Sequence, residues 1–211
     1  MWPAQEKTED LLKEARAGHA EAVNRLLDRH RDSLRRMVQM RLDARIQRRG
    51  DVSDVVQDVL VEAHRRLAGY LKQPGLAFHL WLRQIAQDRI IDAHRRHRVS
   101  GKRSVDREQP LVVQTDAEKS AVELAAKIMD KGITPATAAA QREMSQVVER
   151  AMVQLEEQDH EIILLRHYEQ LSNQEAAHVL GLTEPAASMR YLRAIRRLRA
   201  VLGASTGADR Q

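Results

Sequence analysis

Cysteine is absent from the 211 residues, which excludes disulfides and thiolate metal sites. Aromatic residues are scarce, 3% of the chain, and consist of Trp2, Tyr70, Phe78, Trp81, Tyr168 and Tyr191. No stretch alternates polar and apolar residues over a useful length, so the pattern of a half-buried strand is missing. No apolar run reaches the length of a membrane span, and the stretch from Met1 to Lys7 lacks the apolar core of a signal peptide. A cytoplasmic protein is expected. Phosphate-cradling glycine runs of the GxxxxGK[ST] or GxGxxG type do not occur, nor does HExxH, and no Ser/His/Asp grouping stands out. Nothing in the chain asks for a catalyst or a cofactor.

Ala, Leu, Arg, Glu and Gln dominate instead, residues that lose little conformational freedom in a helix. Hydrophobic residues make up 43% and charged residues 31%, a balance typical of folded globular chains. The fold class that follows is all-α. The formal charge of +5 is a weak pointer to a polyanionic partner, but its distribution says more. Between Arg89 and Arg107 seven Lys/Arg stand against two acids, and between Ser188 and Gln211 six Arg stand against one. Two basic patches, one in each half, predict two contacts with nucleic acid.

Periodicity and punctuation divide the chain. Thr8 is placed to cap a first helix that carries Leu11, Leu12 and Ala15 and ends at Gly18. A second helix is expected over 20–49 and closes at Gly50, and a third over 52–68 stops at Gly69. The stretch 70–77, with its Pro-Gly pair, reads as a loop. A fourth helix follows over 78–98. Residues 101–116 have no apolar period, and 117–131 suits a helix. Thr134 and Pro135 then offer an N-cap and a first helical position. The expected organisation is a domain over 8–100, a linker over 101–133 that includes this helix, and a second domain over 134–203.

The sharpest local signal runs from Leu171 to Tyr191. Ser172 and Glu175 have capping-box spacing, Gly181 suits the left-handed turn after a short helix, and Thr183 caps the next helix. Ala187, Tyr191, Ala194 and Leu198 recur at helical intervals and face inward. Ser188, Met189, Arg190, Arg193, Arg196 and Arg197 are left outward or lateral. That is a helix-turn-helix, whose second helix enters a major groove; the bland alternative is a helical hairpin with a solvated arginine face.

Asp51, Asp54, Asp58 and Glu62 form an acidic ridge on the third helix, suited either to a basic protein partner or simply to solvent. The polar side of the fourth helix carries Asp88, Arg89, Asp92, Arg95, Arg96 and Arg98. With Tyr70 and Lys72 it could make a stacking and phosphate-binding surface for single-stranded DNA, or an ordinary solvated face. His94 and His97 have the spacing of a metal pair, but so many arginines beside them make a poor cation site.

Together these segments resemble the extracytoplasmic-function (ECF) group of bacterial sigma factors, over about Leu11 to Arg98 and Ser145 to Leu202. The run from Asp51 to His64, DVSDVVQDVLVEAH, is similar to the group's core-polymerase-binding helix. FHLWLRQIA at Phe78–Ala86 is similar to the signature leading into the helix that engages the −10 element. LEEQDHEIILLRHY at Leu155–Tyr168, with the helix-turn-helix behind it, is similar to the domain that reads the −35 element. Asp88 departs from a frequent Asn, His64 from a usual Trp, and Glu184-Pro185-Ala186 from a commoner small or Thr-containing helix start.

The resemblance implies two helical domains, sigma domains 2 and 4, and a promoter-specificity subunit. Its partners would be core RNA polymerase, promoter DNA and an anti-sigma protein, with no cofactor, no membrane and a monomeric free state. Polymerase contact would fall to Asp54, Gln57, Asp58 and Val61. The −10 contacts would come from Tyr70, Lys72, Gln73, Asp88, Arg89, Asp92, Arg95 and Arg96. The −35 contacts would come from Glu184, Pro185, Ser188, Met189, Arg190, Arg193, Arg196 and Arg197. The rival readings are an ordinary helix-turn-helix regulator, which leaves the acidic ridge unexplained, and a small metal-dependent hydrolase built on His94 and His97.

Overall fold

The computed structural model describes residues 2–42, 49–100, 116–129 and 137–208. All regular structure among them is helical, and the chain divides into two compact units, Met1–Leu111 and Val112–Gln211.

The first unit holds α1 (Gln5–Arg16), α2 (Ala20–Arg41), α3 (Arg49–Lys72) and α4 (Phe78–Ser100). Their apolar stripes meet in one core that includes Leu26, Leu34, Val38, Val59, Leu82 and Ala86. Thr8 does not cap α1, which begins three residues earlier. Its hydroxyl donates to the Ala4 carbonyl at 3.2 Å and lies 3.4 Å from Nε2 of the buried His30. The second helix ends at Arg41 rather than near residue 49; Leu42 turns extended and is buried. Ile46 lies outside the described residues, and Gly50 sits in the first turn of α3 instead of closing α2.

The third helix runs through Gly69 to Lys72. Gly in a helix interior costs about 1 kcal/mol relative to Ala, and burial of the next side chain offsets that cost. Tyr70 packs on Phe78 and Trp81, with ring centroids 5.5 and 4.7 Å away. Its hydroxyl donates to the Leu76 carbonyl at 2.9 Å. The expected loop thereby shortens to the few residues between Lys72 and Phe78.

The second unit contains α5 (Asp116–Met129), α6 (Ala138–Val153), α7 (Glu157–Ile163) with a π-helical turn at Leu164–Tyr168, α8 (Asn173–Leu180) and α9 (Glu184–Ala208). The stretch 101–133, expected to connect the domains, thus gives a helix to the second unit. Ala121, Leu124, Ala125 and Ile128 bury one face of α5, which packs against α6, the π turn and α9. Two polar contacts fix it there: the His167 ring lies 2.8 Å from the Ser120 carbonyl, and Arg199 donates to the Ile128 carbonyl at 2.8 Å. The cap expected at Thr134 lies outside the described residues; α6 is capped by Thr137, whose hydroxyl accepts from the Ala140 amide at 3.2 Å.

Candidate nucleic-acid interface

The turn between α8 and α9 is built as its sequence dictates. The Ser172 hydroxyl accepts from the Glu175 amide at 3.2 Å, and the Glu175 carboxylate accepts from the Ser172 amide at 2.7 Å. This reciprocal cap fixes the start of α8. Gly181 ends the helix at φ 63°, a left-handed conformation that disfavours any Cβ. The Thr183 hydroxyl then accepts from the Ala186 amide at 3.4 Å. Asn173, which the sequence reading passed over, donates to the Glu184 carbonyl at 2.9 Å and ties the two helix starts together.

Ala187, Ala194 and Leu198 are fully buried and Tyr191 is half-buried, so α9 is oriented by small residues that let it approach α8 and α7 closely. Opposite them, Pro185, Met189, Arg193 and Arg196 are exposed; Glu184 is exposed at the helix start, and Ser188 and Arg190 are half-buried. Arg197 departs from the expected phosphate-gripping role. Its guanidinium donates to Asp159, itself 3% exposed, and pairs with Glu156 at 3.1 Å. A carboxylate buried in the unit needs a cation, and these two acids raise the arginine's pKa further. Arg197 holds α7 to α9.

In the first unit, α3 exposes Asp54, Gln57 and Asp58 on one side, together with Val61, which is 59% exposed. Gln57 and Val61 line a shallow groove against α2, with Asn24, Arg25 and Asp28 across it. The acidic ridge is interrupted at its end. Glu62 turns inward, 8% exposed, and accepts from Arg65 at 2.7 Å and from Arg66, with Arg89 of α4 at 3.8 Å. Hydrogen bonds from Arg65 and then Arg66 outweigh its burial and hold the carboxyl down at about 2. Spacing alone offered that signal, because arginines three and four residues beyond a glutamate share its helix face. The Asp51 side chain lies outside the described residues.

The surface expected around the fourth helix is assembled only in part. Lys72, Gln73, Asp88 and Arg95 are exposed; Arg89 lies 3.4 Å from Asp92, and both are half-buried. Arg96 pairs with Asp58 at 3.3 Å, joining a residue expected at DNA to one expected at polymerase. Tyr70 is the clear correction. It is 7% exposed and its hydroxyl is committed to Leu76, so it braces the loop from within and offers no face to a base. Trp81 is half-buried in the same stack, 4.7 Å from Tyr70 and 5.4 Å from Phe78. His94 is turned to the Arg41 carbonyl at 3.1 Å, and no group of three metal-ligating side chains occurs among the described residues.

Two family models match the chain, Sigma-70 region 2 over residues 26–99 and Sigma-70, region 4 over residues 145–198. Each match falls within one compact unit. The chain belongs to the sigma-70 family, in its ECF group. It is 27% identical over 193 residues to the ECF RNA polymerase sigma factor BldN of Streptomyces coelicolor, an alignment covering 92% of this chain and 65% of BldN. It is 33% identical over 141 residues to the probable RNA polymerase sigma factor RfaY of Xanthomonas campestris pv. campestris, covering 67% of this chain and 31% of RfaY. The chain therefore spans less than two thirds of the length of either curated relative. Among solved structures, CnrH in complex with the cytosolic domain of CnrY matches with 25% identity and a TM-score of 0.57, over 92% of this chain and 96% of that one. Region 2 here comprises most of the four-helix first unit, and region 4 runs from α6 into α9, so α5 lies outside both matched regions. No described helix is long and apolar enough to cross a membrane.

Proposed function

We propose that this sigma-70 family member is a promoter-specificity subunit that binds core RNA polymerase and directs it to −10 and −35 elements. The observation that carries the polymerase contact is the outer face of α3. An aliphatic side chain as exposed as Val61 stands beside Asp54, Gln57 and Asp58 at helical spacing, a mixed apolar and acidic stripe suited to a basic protein surface and unsuited to DNA. The −35 element falls to the outward face of α9, presented by the capped turn. The −10 element falls to Lys72, Gln73 and the polar side of α4, with Arg89 and Arg96 already bound to carboxylates that any phosphate would have to displace. An anti-sigma protein is the third partner we propose, on the likeness to CnrH, which was solved with the cytosolic domain of CnrY. The protein acts through these contacts and needs no chemistry or cofactor of its own.

Co-purification of core RNA polymerase tests this reading. Wild type is expected to retain polymerase, and Val61→Asp and Asp58→Arg to lose it with helicity unchanged. Val61→Asp is the cleaner variant, since Asp58→Arg also breaks the pair with Arg96. A wild-type chain that grips duplex DNA but retains no polymerase would overturn the proposal in favour of an ordinary helix-turn-helix regulator.

A further inference from the structure

The face that α9 turns away from its core is not led by a hydrogen-bonding residue. Met189 stands nine residues before the fully buried Leu198. At about 3.6 residues per turn that is about two and a half turns, so the two side chains point in opposite directions from the axis. Met189 is accordingly 61% exposed, and Leu192, one turn on, is 49% exposed. Pro185, one turn earlier, is exposed as well. The leading edge of the helix over its first two turns is therefore apolar, and Arg193 and Arg196 follow it on the same side, both exposed. The hydrogen bond from Asn173 to the Glu184 carbonyl fixes the start of the helix, so this edge is presented in one orientation.

An apolar edge followed by arginines matches one surface chemically. In a major groove the 5-methyl group of thymine is the one apolar feature on a base edge, and phosphates flank it. Resting on the proposed −35 role of α9, we infer that Met189 is a specificity-determining residue that reads thymine by packing its thioether on the base methyl, with Leu192 and Pro185 excluding water beside it. Arg193 and Arg196 hold phosphate on the same side and carry no sequence preference. Selectivity at these positions is steric and hydrophobic, and it distinguishes thymine from every base that lacks the methyl, uracil included.

The test is a methyl deletion in the DNA. Duplexes are enriched from a random pool with holoenzyme assembled from core polymerase and the full chain, and each thymine of the upstream element is then replaced by deoxyuridine. Base pairing is untouched and only the methyl is lost. Burying one such group is worth about a fourfold change in affinity. Wild type is expected to show that loss at one or two thymines. Met189→Ala should bind dT and dU within a factor of about 1.5 of each other, and Met189→Leu should keep most of the discrimination. Equal binding of dT and dU by wild type would overturn the inference and leave the apolar edge to a protein contact. Full discrimination by Met189→Ala would assign the methyl contact elsewhere and overturn it equally. Failure of the wild-type holoenzyme to enrich any sequence would strike at the proposed function itself, a result distinct from both.

Discussion

Acidification should loosen the first unit through one side chain. His30 of α2 is 1% exposed, ringed by Trp2 at 6.0 Å, Phe78 at 5.1 Å and Thr8. The Thr8 hydroxyl gives its proton to Ala4, so it can only accept from His30, which assigns the ring hydrogen to Nε2. Nδ1 is buried with no hydrogen-bond partner. A second proton there would be an unsatisfied buried cation. Burial, followed by the neighbouring charges of His79 and Arg29, lowers the pKa to about 3. The unfolded chain takes up that proton near the ordinary value of about 6.5. Between the two values the unfolded state binds more protons, so stability is whole above about pH 6.5 and is lost progressively as pH falls toward 3. Linkage gives a loss of about 2 kcal/mol between pH 7.5 and pH 5. With a urea dependence of about 2 kcal/mol per molar, the unfolding midpoint should fall by about 1 M. Both tryptophans, Trp2 and Trp81, lie in this unit, so fluorescence-monitored urea melts report it without interference from the second. The half-buried His167, whose pKa is lowered by desolvation, belongs to the other unit and stays silent in this assay. His30→Leu and His30→Gln should each remove most of the pH dependence, whatever they do to stability at pH 7.5. A wild-type midpoint that does not move, or variants as acid-sensitive as wild type, would refute the reasoning.

Two further outcomes follow from polar contacts. Ser172→Ala removes one half of the capping box and should destabilise the second unit by about 1 kcal/mol, read as an earlier far-UV CD transition with the tryptophan transition unmoved. Asp58→Ala frees one partner of Arg96, but the pair is 48% and 62% exposed and so contributes at most about 1 kcal/mol. Duplex affinity of the free chain, measured by fluorescence anisotropy, should therefore rise by no more than about fivefold; a larger rise would mean that the pair masks a DNA-binding surface.

Local chemistry was legible wherever a few neighbouring residues decide it. Ser172, Glu175 and Gly181 placed the turn, and the spacing of Ala187, Ala194 and Leu198 placed the buried face of α9, because capping and helical period act within a turn or two. What distant partners decide was not legible. Gly69 reads as a helix end until Tyr70 is seen to pack on Phe78 and Trp81, and Tyr70 then leaves the group expected at DNA. Arg65 and Arg66 lie within a turn of Glu62 and are readable from spacing, yet a period cannot say that Glu62 will be buried or that Arg89 of α4 will stand beside it. The segment around α5 looked like a connection because its neighbours are low in apolar period; its own stripe from Ala121 to Ile128 finds a partner only once α6 and α9 are in place.

The same partners revise what the charge of the chain means. Two arginine-rich runs predicted two surfaces for polyanions, but several of those arginines already hold carboxylates: Arg89 on Asp92 and Glu62, Arg96 on Asp58, and Arg197 on Asp159 and Glu156. Each neutralised guanidinium contributes less to phosphate binding than a count of charges suggests, because a phosphate must first displace an acid that is covalently part of the same unit. Of the expected −35 arginines, Arg193 and Arg196 stand exposed on the outward side of α9, and two phosphate contacts give a shallow salt dependence, with a slope of about −2. A surface of that kind holds DNA weakly by itself and gains strength when a second contact, such as polymerase, raises the effective concentration of the promoter. The pairing of arginine with acid inside each unit is thus a physical reason for the chain to act as the subunit we propose, with its charge already partly engaged in its own fold.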